Sequence, residues 1–446
     1  MNFQVNNDFM VYDNKHSSKF MFIHMALLCA LLAFHNVLGL NINQYLILGF
    51  AAVIIPFLKL ADLLAFTAFI IPLSTGINAG IFLVLTVALL FRLPKIAPQM
   101  VIFPCLLIAI EIWDIMDIPN LDYTFKDVAV YSGYLLIFFI LLFVNTDTEL
   151  SKRIIRYFIV GMAILCLIYV LRLLNSDSLL TFVSSGERMG ENVAESQSEN
   201  IGYIVLNANT LGYFSAVGIS LCLLGKDILK LKPIILALSF IVFLIAGGAT
   251  ISRTWAMTVA LALTFYFFRS INRPRIWITA ILGVWGILWF DLLPETFVEA
   301  FTNRFMGGDM ESGNGRIELF EKYNEFMADH PEYLLFGITV TCYKHVAKIW
   351  NSTHNGIQQI YLSTGIAGLL LFVIATFQFY RKFILPNPGP LYRWMPFIIA
   401  AIFLQSIQFL NPHILMLPIV ITTFTFKIRG FELNSSNYEL SSESLQ

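Results

Sequence analysis

The sequence predicts an all-α fold: a polytopic helical bundle that crosses a membrane 12–14 times. Three observations carry this. Of 446 residues, 58% are hydrophobic and only 13% charged, where a soluble domain has about 25% charged residues. The apolar residues fall in runs that fill most of the chain, several of them close to the ~20 residues one helical crossing needs, and mean hydropathy is +0.74. The lysines and arginines cluster in alternate connections, the bias that separates cytoplasmic from outer loops.

The same numbers exclude other classes. So little charge fits neither a disordered chain nor an ordinary soluble enzyme. A formal net charge of -1 offers a nucleic acid no basic field. The five cysteines include no CxxC pair, so neither a disulfide framework nor a zinc site is suggested. Cys29, Cys105, Cys166 and Cys222 lie in apolar runs, and Cys342 alone sits in a polar stretch. There is no internal repeat. Residues 1–19 are polar, and the run Phe20–Leu40 is long enough to stay as a transmembrane helix rather than be cleaved as a leader.

Polar punctuation sets the crossings near 20–40, 42–58, 61–75, 78–92, 100–115, 128–145, 155–174, 209–225, 233–250, 254–269, 276–292, 356–379, 393–411 and 413–427. The second, third and last are short or weakly bounded, hence the range of 12–14. With the N-terminus inside, most of the 28 basic residues fall on the cytoplasmic side; the exceptions are Lys126, Arg172, Arg188, Arg253, Arg304, Arg316, Lys322, Lys344 and Lys348. Merging one adjacent pair of crossings would invert every later loop, so the agreement supports an even count. The organisation that follows is an N-terminal transmembrane bundle over 1–292 with an outer polar loop at about 175–207, a large outer loop over 293–355, C-terminal transmembrane helices over 356–428 and a cytoplasmic tail over 429–446.

The first outer loop is acidic and polar, SSGERMGENVAESQSEN. In the second, GRIELFEKYNEFMADHPEYLLFG places Ile317, Phe320, Tyr323, Asn324 and Met327 at helical spacing. This predicts a surface helix over Arg316–Ala328, ended by Asp329-His330-Pro331. Leu334, Leu335 and Phe336 then lie back on the membrane or on the bundle.

Charges inside crossings usually point to function, and here there are almost none. Asp62 and the cluster Glu111, Asp114 and Asp117 sit at helix ends, where a solvated or interfacial position is the simpler account. No proton-relay chain or pair of broken helices is visible, which argues against a secondary transporter. The informative charges are the outer arginines. Arg253, in ATISRTWAM, joins two crossings almost without a loop and is held at headgroup level. It reads either as a snorkelling side chain or as an anion clamp, since guanidinium grips phosphate bidentately. Arg316, in ESGNGRIELF, follows Gly313 and Gly315 and opens a helix whose free N–H groups also favour an anion; a solvated helix-start charge is the alternative. Arg188, flanked by Glu187 and Glu191, and Arg304 are weaker candidates. His354, in NSTHNGIQQIYLSTGIAG where the long loop meets the next crossing, can take or relay a proton near neutral pH, or simply cap the helix start. His330 and His345 lack metal-site spacing.

Taken in order, these pieces resemble the O-antigen ligase/polymerase family of bacterial envelope glycan assembly proteins. The family signature is a loop arginine with an amphipathic helix, an HP…LFG turn, then HN followed by G..G. Here it reads GRIELF, DHPEYLLFG and HNGIQQIYLSTGIAG, with ten residues between His354 and Gly365. SRTW at 252–255 resembles the family's outer-boundary arginine, and NANTLG at 207–212 its entry to the middle crossing. The resemblance covers about half the chain. One departure is Phe320, where the family often has leucine, an exchange expected on the helix's buried face.

The resemblance implies a GT-C-like membrane glycosyltransferase, without cofactor or metal, in the bacterial inner membrane with its site facing the periplasm. Its donor would be an undecaprenyl-diphosphate-linked oligosaccharide and its acceptor a glycan hydroxyl. Arg253 and Arg316 would stabilise the leaving diphosphate, His354 would serve the acceptor, and Arg188, Asn207, Asn209 and Asn355 would line the substrate. The expected activity is polymerisation of O-antigen, capsular or exopolysaccharide repeat units. The alternative is ligation of the glycan to lipid A core or to protein; a lipid-linked oligosaccharide flippase is disfavoured by the nearly charge-free crossings. A flippase and a chain-length regulator would be the companions of a polymerase, and nucleic acid has no part.

Overall fold

A computed structural model describes residues 10–11, 19–118, 124–176, 189, 204, 206–225, 229, 231–269, 295, 298–299, 302, 316–340, 342–349, 353–386, 389–407, 409–410 and 415–428. Arg188, Arg304, the expected crossing at 276–292 and the tail over 429–446 lie outside the described residues. The described chain is a helical bundle: α1 (Lys19–Asn36), α2 (Gln44–Val53), α3 (Leu60–Leu73), α4 (Gly80–Arg92), α5 (Gln99–Asp117), α6 (Phe125–Phe143), α7 (Thr148–Ser176), α8 (Ala208–Leu224), α9 (Pro233–Gly248), α10 (Arg253–Arg269), α11 (Arg316–Asp329), α12 (Tyr343–Val346), α13 (Gly356–Phe379), α14 (Met395–Ile402) and α15 (Leu417–Thr422). One two-stranded parallel pairing joins Met10–Val11 (β1) to Asn145–Thr146 (β2).

Five described helical spans are long and apolar enough to cross a membrane: Lys19–Asn36, Gln99–Asp117, Phe125–Phe143, Thr148–Asn175 and Gly356–Ile384. Apolar side chains also face outward, among them Phe22, Leu46, Phe57 and Phe91. Water disfavours such a surface and lipid does not. The other apolar helices are shorter than a crossing needs, the most deeply placed for a reason. In α3 every residue from Ala61 to Leu73 is buried, and α8 is nearly as enclosed. A helix that is apolar all round belongs inside the bundle, where neighbouring helices rather than lipid set its length. α3 lies along α7 because Gly161 removes a side chain at the crossing: a Cβ there would stand 2.4 Å from the Phe69 carbonyl oxygen, the close approach small residues permit in membranes.

The two ends of the bundle differ. At one end basic side chains satisfy helix C-terminal carbonyls, groups left without intrahelical partners. Arg92 donates to Pro56 (2.8 Å), Lys382 to Phe143 (3.1 Å), and Lys427 to Leu141 (2.7 Å) and Val144 (3.0 Å). The fully buried Arg393 donates to the carbonyls of Thr425 (2.7 Å), Phe426 and Ile428 (2.8 Å). Asp62, expected to be solvated, is instead buried in an ion pair with Arg153 of α7; α3 and α7 pack together, and the opposite charge offsets the loss of solvent. The opposite end carries the long loop.

Candidate functional site

At the loop end, the entry to α8 is pinned before the helix begins. The Ile204 carbonyl accepts from Arg172 (2.8 Å) and from the Tyr169 hydroxyl (3.1 Å), while its N–H donates to Asn36 (2.7 Å). Asn207 then caps α8, its side-chain oxygen accepting from the Thr210 N–H (2.8 Å). Next to it, α9 turns into α10 through Ile251, whose φ of 46° is left-handed. The turn is held from both sides: the Ser252 hydroxyl reaches Asn209 (3.3 Å), and the Met189 N–H donates to the Ala249 carbonyl (2.9 Å). Trp255, in the first turn of α10, donates to Ser215 (2.9 Å), and Gly247 leaves the space, since a Cβ there would lie 2.0 Å from the indole nitrogen. Arg253 is the first residue of α10, half-buried at the rim of this packed corner.

The long loop supplies the other wall. Helix α11 forms over Arg316–Asp329, and His330 leaves helical geometry at φ -122°, ψ 69°, because Pro331 disfavours α backbone in the residue before it. Its buried stripe is Tyr323 and Met327, packed with Ile338, Tyr343 and Leu362 and with Ile118 at the end of α5. Phe320, expected on the buried face, is exposed like Ile317: this small core is centred on the second half of α11 and reaches Leu319 but neither Ile317 nor Phe320. The segment after the helix docks into α13, which is broken at Gly365 (φ 61°, ψ -165°). Nothing in the run of residues 356–379 marked an interrupted helix. Across the break, Ile338 N–H donates to Leu362 (2.9 Å), and Ile366 and Ala367 donate to Leu334 (2.9 Å) and Leu335 (3.1 Å). Asp114 accepts from the Thr339 N–H (2.9 Å); like Glu111 it is buried rather than solvated, because the loop folds over the end of α5. Cys342, in its polar stretch, is buried too, with Val128.

His354 stands where this wall meets α13. Asn355 caps the helix, its oxygen accepting from Ile357 (2.9 Å) and Gln358 (3.0 Å). Gln358 ties the cap to α11: its amide nitrogen donates to the Phe320 carbonyl (2.8 Å) and to Asn324 (3.1 Å), and its oxygen accepts from Thr353 (2.6 Å). The His354 ring bonds the backbone of Ser406. Its pKa is held below the ordinary histidine value, first by loss of solvent on its inner side and then by the positive charge of Arg316, with the Ser406 bond acting in the opposite direction. A neutral imidazole is therefore favoured beside a guanidinium.

These contacts bring Arg316 and His354 together. They also join His354 to the α8 corner, since Phe403, three residues before Ser406, packs against Tyr213 of α8 (5.2 Å, 66°). Arg253, Asn207, Asn209, Arg316, His354 and Asn355 thus share one end of the bundle. The side-chain oxygens of Asn207 and Asn355 are already occupied in capping. Sequence reasoning missed Gln358, Asp114 and Arg172, whose roles come from partners distant in sequence; an arginine on the side poor in basic residues was the only signal for Arg172. Among the described residues no group of three His, Cys, Asp or Glu side chains converges as a metal site would require.

Compared with known proteins, this chain matches no family model, no curated protein and no solved structure.

Proposed function

We propose that the chain is a membrane glycosyltransferase of GT-C-like architecture that moves an oligosaccharide from undecaprenyl diphosphate to an acceptor sugar at the outer face of a bacterial inner membrane, acting as a repeat-unit polymerase. The observation that carries the reading is the pairing of His354, exposed at its outer edge but with its pKa lowered by partial loss of solvent, with the positive charge of Arg316, at the bundle end that also holds Arg253. A glycosyl diphosphate brings the two needs this pairing serves. The acceptor hydroxyl oxygen forms the new bond to the anomeric carbon and loses its proton to His354. The anomeric C–O bond breaks, and its electron pair leaves on the diphosphate, whose growing charge the arginines stabilise. The energy lies in the donor, so no nucleotide is consumed. A chain-length regulator and a flippase would be its companions.

Purified protein with lipid-linked oligosaccharide and EDTA tests the reading. Wild type should form longer lipid-linked glycan, and His354→Ala should lose about 10²–10⁴-fold in rate while still eluting as a folded protein. Arg253→Lys should also fail, because an ammonium lacks the planar fork. Activity lost on chelation and recovered with magnesium would overturn the arginine mechanism. Glycan appearing only on lipid A core or protein would make the enzyme a ligase, and full activity in His354→Ala would remove that residue from the chemistry.

A further inference from the structure

The turn that docks into the broken helix carries its apolar side chains on the outside. Leu335 is 55% exposed and Phe336 36% exposed, although the backbone beneath them is bonded into α13 through Ile366 and Ala367. Phe336 meets Trp113 of α5, ring centroids 6.1 Å apart. Trp113 is itself 55% exposed, and Met116, one turn further on, 76%. Ile366, just past the break, is exposed as well. Three elements distant in sequence thus present one uncovered apolar patch.

Two independent rulers give the height of this patch. From Ile384, where the span of α13 ends beside Arg381 and Lys382, to Gly365 is nineteen residues by number, or about 29 Å at 1.5 Å per residue. That is the ~30 Å thickness of a bilayer's hydrocarbon core. Helix α5, with 19 residues, likewise spans about 29 Å and carries Trp113 in its last two turns. Both place the patch at the outer edge of the hydrocarbon layer. Tryptophan is enriched at this level because an amphipathic ring suits a boundary that is apolar on one side and wet on the other. The residues of α13 before the break, Gly356–Thr364, then rise above it.

The geometry points to a membrane-interface anchor: Leu335, Phe336, Trp113 and Met116 insert into the outer boundary of the lipid bilayer and fix the long loop at a set height over it. The occupant is lipid acyl chain and headgroup, because the patch continues the lipid-facing surface of α5 and α13 without a step. The break at Gly365 serves this arrangement. It frees the N–H groups of Ile366 and Ala367 to hold the turn by its backbone, so the turn's side chains remain available to the membrane. The inference does not depend on the chemistry proposed for His354 and Arg316.

A photoreactive residue tests it directly. Leu335→p-benzoylphenylalanine, Phe336→p-benzoylphenylalanine, Glu332→p-benzoylphenylalanine and Ile374→p-benzoylphenylalanine are made in the full chain and placed in vesicles of phosphatidylethanolamine and phosphatidylglycerol. Glu332 and Ile374 are both exposed, one in the turn before the patch and one deep on α13. Illumination should give lipid adduct at 335 and 336 to the extent seen at 374, and none at 332. Loss of the lipid adduct at both 335 and 336 with adduct retained at 374 would overturn the anchor. So would an adduct of twice the chain's mass at 335 or 336, which would assign the patch to a second copy, or equal lipid adduct at 332 and 335.

Discussion

Gly337 and Gly365 meet back to back across the break in α13, each with left-handed backbone (φ 86° and 61°). A Cβ on Gly337 would stand 2.6 Å from the Gly365 nitrogen, and one on Gly365 would stand 2.3 Å from the Leu335 carbonyl oxygen. Two strands of backbone that close cannot be separated by even a methyl group. Either Gly→Ala change should therefore cost more than left-handed strain alone, which is ~1–2 kcal/mol. Gly39→Ala is the control, since Gly39 also has positive φ (69°) but open space around it. Thermal unfolding in detergent should rank Gly365→Ala and Gly337→Ala well below Gly39→Ala. Equal losses in all three would show that the close approach contributes nothing.

Gln358 should act as a positioning residue that holds the Arg316 helix against the His354 turn. Gln358→Leu removes three hydrogen bonds, worth about 0.5–1.5 kcal/mol net each; of the partners, Thr353 is buried and Asn324 is exposed. A readout specific to this role is trypsin cleavage at the exposed Lys322 of α11, which should become faster in the variant while the bundle stays folded. Unchanged cleavage would mean that the loop's own core holds α11 without it.

The His354 environment sets a pH dependence. Protonation would place an imidazolium near the Arg316 guanidinium at a position that has lost part of its solvent, so the folded protein resists it. The base form is then retained as pH falls through the ordinary histidine value of about 6.5, and transfer should decline only below it. Stability follows the same sign: the unfolded chain takes up the proton first, so this group's contribution is lost as pH falls below about 6.5. Arg316→Gln removes the repelling charge and should move the acidic limb of the residual activity upward. A limb that stays fixed or moves down would remove Arg316 from the electrostatics of His354.

The loop end should face outside the cell, as the distribution of basic residues predicts. Glu325→Cys, at an exposed position of α11, should react with an impermeant maleimide in intact cells. Labelling only after lysis would invert the topology and place the candidate site in the cytoplasm.

The sequence by itself determined the class of the molecule. Apolar run length placed most of the described helices through α10, and α13, within a few residues of their bounds, while α7 starts earlier and α14 and α15 are shorter than expected; in a bilayer each backbone polar group must be satisfied within its own helix, and that requirement is written locally. It also marked the end of α11 at His330-Pro331 and singled out Arg253, Arg316 and His354, residues that stand out against an apolar background. What only the tertiary structure decided depends on contacts between distant segments. Asp62 finds Arg153 and Asp114 finds Thr339, so carboxylates that read as solvated helix ends are buried. Phe320 is uncovered because the core beneath α11 comes from residues 338–362 and from α5, and no periodicity within the helix records how far that support extends. The break at Gly365 is stable because Leu334, Leu335 and Ile338 supply the hydrogen bonds the helix gives up. A glycine in an apolar run is compatible with an unbroken helix until another segment arrives to complete the ladder.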